Sequence, residues 1–261
     1  MKSNSRILVT TLCALVLASA AQAAVVVSPA NMDGWTFYKT FGDPDYTYGA
    51  GDATAEMVNG PATPPLGTGS AHFNTGTNGS QSAQLRLSDW DGTAIGDLTS
   101  LSYSTYATAW NGQQMPYLTI YLSNGDRLWF EPDYSSTDFG GPQPAPALNT
   151  WQTWDALNGK WYTDNFFGPG ASAATWADVL TAEGSGVTIV ADGAGRGGIR
   201  IASGFASTND VFDANVDNFT IGTAAGTTTY DFEAVPEPSS LALLSVGLFG
   251  LVGLMRRKIS G

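Results

Sequence analysis

The chain has 261 residues, 43% of them hydrophobic and only 13% charged, which is enough for a packed core and excludes an extended disordered chain. Its net charge is −12, and residues 24–234 hold 22 acidic against 6 basic side chains. A body so acidic is repelled by phosphate backbones, which excludes nucleic acid as a partner and leaves divalent cations and neutral polymers.

At the N-terminus, Lys2 and Arg6 precede the apolar run Ile7–Ala20, which ends in Ala21-Gln22-Ala23. A basic start, a short apolar segment and an A-x-A site predict a secretory signal peptide over residues 1–23, cut after Ala23. Cys13, the only cysteine, lies inside this leader. Thr11-Leu12 does not supply the small residue expected before a lipidated cysteine. The exported body, residues 24–233, then has neither a disulfide nor a thiol nucleophile.

Through that body, short alternating runs are separated by glycine, proline, asparagine and aspartate, which predicts an all-β fold, a single β-sandwich domain. Expected strands are Ser82–Leu87, Leu101–Trp110, Tyr117–Ser123, Arg127–Glu131, Trp151–Ala156, Gly186–Ala191, Gly198–Ser203, Val216–Ile221 and Thr228–Phe232. Only Thr175–Ala182 carries a helical pattern. Pro61–Pro65 and Pro142–Pro146 read as surface loops.

His72, the single histidine, opens the run Ala-His-Phe-Asn at the start of a strand. A histidine metal cluster is thereby excluded, and any Ser-His-Asp catalysis would have to use this one ring. No serine sits in a G-x-S-x-G elbow. The body's glutamates, Glu56, Glu131, Glu183 and Glu233, do not show the E-x-D-x-x-E spacing of laminarinase-like sandwich hydrolases. Gly193–Gly198 joins two strands rather than a strand and a helix, so it reads as a hairpin turn and not a nucleotide loop. No catalytic residue is assigned.

In the segment from Tyr117 to Glu131, Leu118, Ile120 and Leu122 share one face with Leu128 and Phe130 across the turn. A three-residue loop Asn124-Gly125-Asp126 keeps the faces matched, pairing Leu122 with Leu128, Ile120 with Phe130 and Tyr121 with Trp129. The opposite face then carries Tyr117, Tyr121, Arg127, Trp129 and Glu131. Two roles suit these residues. Flat aromatics beside hydrogen-bonding charges are what sugar rings require, and the same rings are cross-strand pairs that stabilise a sheet or pack under loops. Leu101–Trp110 shows a similar split, with Leu101 and Tyr103 opposed to Ser102, Ser104, Tyr106, Thr108 and Trp110.

Further on, Asn215-Val216-Asp217-Asn218-Phe219-Thr220-Ile221-Gly222 resembles the closing strand of jelly-roll, carbohydrate-binding-module-like and concanavalin-like sandwiches. That resemblance implies a jelly-roll body and a calcium ion tying the chain ends near this strand. Alternation puts Asp217 on the inward face with Phe219 and Ile221, where a carboxylate must be hydrogen-bonded, paired or metal-bound. Asp210, Asp213 and Asn215 are the oxygen donors near enough to join it around a structural calcium. A capped structural carboxylate is the alternative.

The C-terminal stretch 234–261 contains Val235-Pro236-Glu237-Pro238, an apolar run Leu241–Met255 and the basic cluster Arg256, Arg257, Lys258. The run is 15 residues, about 22 Å as a helix, against about 30 Å of hydrocarbon, so unless Ser239 and Ser240 join it, it anchors a chain in the inner membrane only transiently. Arg256, Arg257 and Lys258 act as a stop-transfer signal. Order, spacing and terminal position resemble a PEP-CTERM sorting signal. The resemblance implies recognition of Pro236, Glu237 and Pro238 by an exosortase, a membrane cysteine protease. It also implies delivery to the cell surface or extracellular matrix of an exopolysaccharide-making bacterium. Three functions remain open on these grounds: a non-enzymatic exopolysaccharide-binding protein, a glycan-active hydrolase or lyase on the same fold, and a structural matrix protein without a ligand.

Overall fold

A computed structural model of the chain describes residues 23–41, 47–48, 51–190, 198–204 and 206–234. The expected leader up to residue 22, the turn 193–197 and everything beyond Ala234, including the Pro-Glu-Pro motif and the basic cluster, lie outside the described residues.

Among the described residues fifteen strands follow one another: β1 (Val25–Val27), β2 (Trp35–Phe41), β3 (Thr47–Tyr48), β4 (Thr54–Asn59), β5 (Gly69–Asn74), β6 (Gln81–Leu87), β7 (Leu98–Ala109) and β8 (Tyr117–Tyr121). Then come β9 (Arg127–Phe130), β10 (Gln152–Asp155), β11 (Lys160–Thr163), β12 (Ala174–Thr175), β13 (Ile199–Gly204), β14 (Asp213–Thr223) and β15 (Gly226–Phe232). Among the described residues one α-helix, α1 (Trp176–Glu183), lies between β12 and β13.

These strands form two sheets. The first is built on β14, which pairs with β7 along one edge and with β5 and then β15 along the other; β4, β1 and β10 extend it. The second runs β12-β11-β9-β8-β13-β6-β2-β3, antiparallel throughout. Their inner faces share one hydrophobic core. Trp35 of the second sheet meets Phe219, Tyr230 and Phe232 of the first edge-to-face at 5.1–5.4 Å. The expected all-β sandwich is therefore observed.

The helix starts one residue later than its sequence pattern. Thr175 is its N-cap: its side chain accepts the Asp178 N–H while the Asp178 carboxylate accepts the Thr175 N–H, a reciprocal capping box. Trp176 and Val179 turn inward, and Trp176 packs on Trp161 of β11 at 5.1 Å.

Three expectations need correcting. Of the expected strand Gly186–Ala191, the described residues 186–190 do not form a strand; Thr188 and Ile189 make isolated bridges to Ala94 and Leu122. The β8–β9 hairpin keeps the expected faces but shifts its register by two residues, so Ile120 opposes Leu128, Thr119 opposes Trp129 and Tyr121 opposes Arg127. The cause is Gly125. It occupies the left-handed region at φ 90°, which closes a loop Ser123-Asn124-Gly125 and lets the Leu122 N–H reach the Asp126 carbonyl at 3.0 Å.

The third correction concerns Asp217. Val216, Phe219 and Ile221 all belong to the core, which strict alternation forbids. Asn218, at φ 54°, sits in a bulge where the β14–β7 register shifts, and the reset leaves Asp217 alternating with Val216 instead of joining Phe219.

Candidate functional site

Strand order brings one row of outward side chains together from six strands. Thr36 opposes Arg86, Arg86 opposes Arg200, Arg200 opposes Thr119, Thr119 opposes Trp129 and Trp129 opposes Tyr162. At roughly 4.8 Å per strand the row is about 24 Å long. Beside it runs a second row, Tyr38, Gln84, Ala202 and Tyr117. Each strand alternates, so Leu85, Leu87, Ile199, Ile201, Leu118, Ile120, Leu128 and Phe130 face the core while these residues lie on the opposite face, where Gln84, Arg86, Arg200, Ala202, Thr119 and Tyr117 are nonetheless buried and Tyr38, Trp129 and Tyr162 are partly exposed.

All five residues expected on the second face of the hairpin, Tyr117, Tyr121, Arg127, Trp129 and Glu131, are brought together here. Trp129 and Tyr162 stack with centroids 5.7 Å apart and planes at 4°, and Tyr117 lies 5.7 Å from Trp129 on its other neighbouring strand. The Arg127 guanidinium is 4.9 Å from the Trp129 centroid and 5.8 Å from that of Tyr121. Asp164 fixes this corner, accepting from Arg127 Nε at 2.6 Å and Trp129 Nε1 at 3.1 Å. Rings held so firmly lose little freedom on meeting a ligand.

Glu131 closes one end of the aromatic group. It is 2% exposed, and Tyr162 Oη donates to its Oε1 at 2.5 Å while Oε2 has no hydrogen-bond partner. Burial pushes its carboxyl up to about 7, more than the hydrogen bond from Tyr162 lowers it. Burial likewise lifts neighbouring Asp133 to about 6.

The sequence pattern does not single out the polar floor of the second sheet. Gln84 and Arg86 alternate with Ala83, Leu85 and Leu87 in β6, and Arg200 with Ile199 and Ile201 in β13, so alternation identifies them as outward-facing. Their meeting requires β6 and β13 to be neighbours, which no local signal shows. Gln84 Oε1 accepts from Arg86 Nε (3.1 Å), Arg86 Nη2 (2.7 Å) and Arg200 Nη1 (3.3 Å). Tyr38 lies under the Arg86 guanidinium at 4.0 Å.

The residues named for calcium are not gathered into one site. Asp210 accepts from Asn111 Nδ2 and the Ser207 N–H, Asp213 is bonded to His72 and to Asn74, and Asn215 donates to Ser70 Oγ. Asp217 accepts the Leu66 N–H at 2.9 Å and the Phe232 N–H at 3.1 Å. It is a capped structural carboxylate at the point where β14 changes neighbour from β5 to β15, and burial raises it to about 6. Among the described residues no three histidine, cysteine, aspartate or glutamate side chains are grouped to hold a metal. His72 Nε2 lies 3.1 Å from Asp213 Oδ1, and among the described residues no serine hydroxyl is bonded to the ring.

Residues 234–258 match the PEP-CTERM protein-sorting motif. The tail is a PEP-CTERM sorting signal. The motif marks an exported protein sorted by an exosortase, destined for the surface or the extracellular space. Among the described residues no helix is long and apolar enough to cross a membrane. No curated protein matches the chain as a relative. Among solved structures, the body is similar to the family 11 carbohydrate-binding module of the cellulosomal cellulase Lic26A-Cel5E of Clostridium thermocellum. That match is 12% identical, covers 73% of this chain and 88% of the module, and has a TM-score of 0.37. It is also similar to the family 22 carbohydrate-binding module of Clostridium thermocellum Xyn10B, at 14% identity over 77% of this chain and 91% of that one, with a TM-score of 0.27.

Proposed function

We propose that this is an exosortase-sorted protein of the cell surface or extracellular matrix whose β-sandwich binds extracellular polysaccharide without cleaving it. The observation that carries the reading is the face of the second sheet opposite the core, where Trp129 and Tyr162 stack, partly exposed, on buried Tyr117 and beside the partly exposed Arg127. Pyranose rings present apolar CH faces and a rim of hydroxyls. An aromatic group with fixed hydrogen-bonding neighbours complements both, and its rigidity limits the entropy lost on binding. The test is affinity electrophoresis or a glycan array with the full chain. Trp129→Ala should weaken binding at least about 5-fold, the effect of removing an aromatic anchor, while the fold is retained. Unchanged binding would remove Trp129 from the site and the reading with it.

One observation favours a second reading, a glycan-active hydrolase or lyase. A carboxyl kept protonated near neutrality and bonded to a tyrosine, as Glu131 is to Tyr162, is suited to general acid chemistry. New reducing or unsaturated ends released from a bound polysaccharide, and abolished by Glu131→Gln, would establish that alternative.

A further inference from the structure

Beside the aromatic group lies a cleft with no part in the contact described so far. It is bounded by the 140–142 turn, residues 157–160 and the start of α1 at 175–177, and its volume is about 520 Å³. Ligand sites commonly measure roughly 300–1,000 Å³. Pro142, Asn158 and Ala177, which line it, are exposed, so it opens to solvent. Parts of its wall are bare backbone. A Cβ on Gly141 would collide with the Ser135 carbonyl and one on Gly159 with the Phe130 ring, so neither position carries a side chain without displacing them.

Strand geometry puts this cleft next to the rings. Trp161 of β11 faces the core, so Lys160 and Tyr162 on either side of it share the opposite face, about 7 Å apart along the strand. Lys160 lines the cleft, and its Nζ donates to the Phe139 carbonyl at 3.0 Å. Phe139 leads directly into Gly140 of the cleft wall. Its ring meets that of Tyr134 at 5.3 Å, and Tyr134 meets Tyr162 at 6.1 Å, so partly exposed rings run from Trp129 to the cleft. The lining also suits a sugar. Pro142, Leu157 and Trp176 supply apolar surface, while the Asn158 side-chain amide is bonded to no described residue. Among the described residues Lys160 Nζ has one acceptor and no carboxylate partner, which leaves donors open to hydroxyls. We infer that the cleft is a second subsite of the polysaccharide site: a glycan chain lying over Trp129 and Tyr162 continues past Lys160 into it. The protein then recognises a run of several sugars rather than a single residue. This inference rests on the polysaccharide reading above and adds the length of the ligand and the direction in which it runs.

The experiment measures binding of the full chain by titration calorimetry to β-1,4-glucan, β-1,4-xylan, β-1,4-mannan and alginate, each as the polymer and as oligosaccharides of three and six residues. Filling a second subsite should make the six-residue oligosaccharide bind about 10-fold or more tighter than the three-residue one. Asn158→Trp, which puts a bulky side chain into the cleft, should remove that gain and leave the three-residue affinity unchanged. Trp129→Ala should weaken both. Should Asn158→Trp fail to fold, Ala177→Trp makes the same test from the helix side. Equal affinity for the two lengths, or a six-residue affinity that the cleft variants leave unchanged, overturns the inference and leaves the polysaccharide reading standing. A loss equal for both lengths in the cleft variants overturns it too, because the cleft would then belong to the site that three residues already fill. Absence of binding to every polymer removes the polysaccharide reading itself and this inference with it.

Discussion

Asp217 shows how one residue serves the sheet. Where β14 loses β5 and acquires β15, two backbone N–H groups, those of Leu66 and Phe232, face a gap in the ladder, and the two oxygens of one carboxylate accept them. Asp217→Ala leaves both donors buried without an acceptor and is expected to cost about 2–4 kcal/mol, read as a lower urea midpoint at unchanged slope. Asp217→Asn, which keeps one acceptor oxygen, should cost less. Glu131 presents the opposite case. Its negative charge is disfavoured by burial, and Tyr162 can donate to an amide oxygen as well as to a carboxylate. Glu131→Gln should therefore raise the melting temperature at pH 8, where the native carboxyl is ionised, and change it little at pH 5, where it is already protonated. A lower melting temperature at pH 8 would show that the charge is compensated.

Among the elements, the β8–β9 hairpin depends on one backbone conformation. A Cβ on Gly125 would meet nothing within 4 Å, so Gly125→Ala tests the φ of 90° alone and should cost about 1 kcal/mol in thermal or urea unfolding. Thr175→Ala removes the capping box of α1 and should cost about the same. Alternation was enough to locate β6 through β10 and β13 to β15, because each buries one face on the core. It missed β2 and β11, although both bury a tryptophan there, Trp35 and Trp161. Their aromatic and polar residues occupy both faces, Phe37 beside Tyr38 and Trp161 beside Tyr162, so neither run shows a clean two-residue period. The hairpin's faces were legible for the same reason that its register was not. Hydrophobic pattern fixes parity, whereas the exact partner depends on which turn residue takes the left-handed region.

At the scale of the whole molecule, the aromatic half of the outer face was legible because β8 and β9 are adjacent in sequence. The arginine half was not, because Arg86 and Arg200 meet only through a long-range strand pairing. The same packing sets the response to pH. Burial raises four carboxyls above the ordinary carboxylate range: Glu131 and Glu183 to about 7, Asp133 and Asp217 to about 6. Between about pH 4 and pH 7 the native state therefore holds protons that the unfolded chain has released. Stability falls as pH rises through that window, because it rises with pH only where the unfolded state binds more protons. The stabilisation is complete below the unfolded values and lost once pH passes the folded ones. Asp52, lowered by Gln81 and Thr77, acts in the opposite direction, but it is solvent-exposed and its effect lies below the ordinary range. Self-repulsion in a chain of net charge −12 adds to the loss at higher pH. The melting temperature should thus be highest near pH 5, decline to about pH 8 and then level off. Combining Glu131→Gln with Asp217→Asn should flatten the decline, because two of the four groups no longer titrate. A wild-type melting temperature that rose between pH 5 and pH 8 would mean that these buried carboxylates are compensated in the native state.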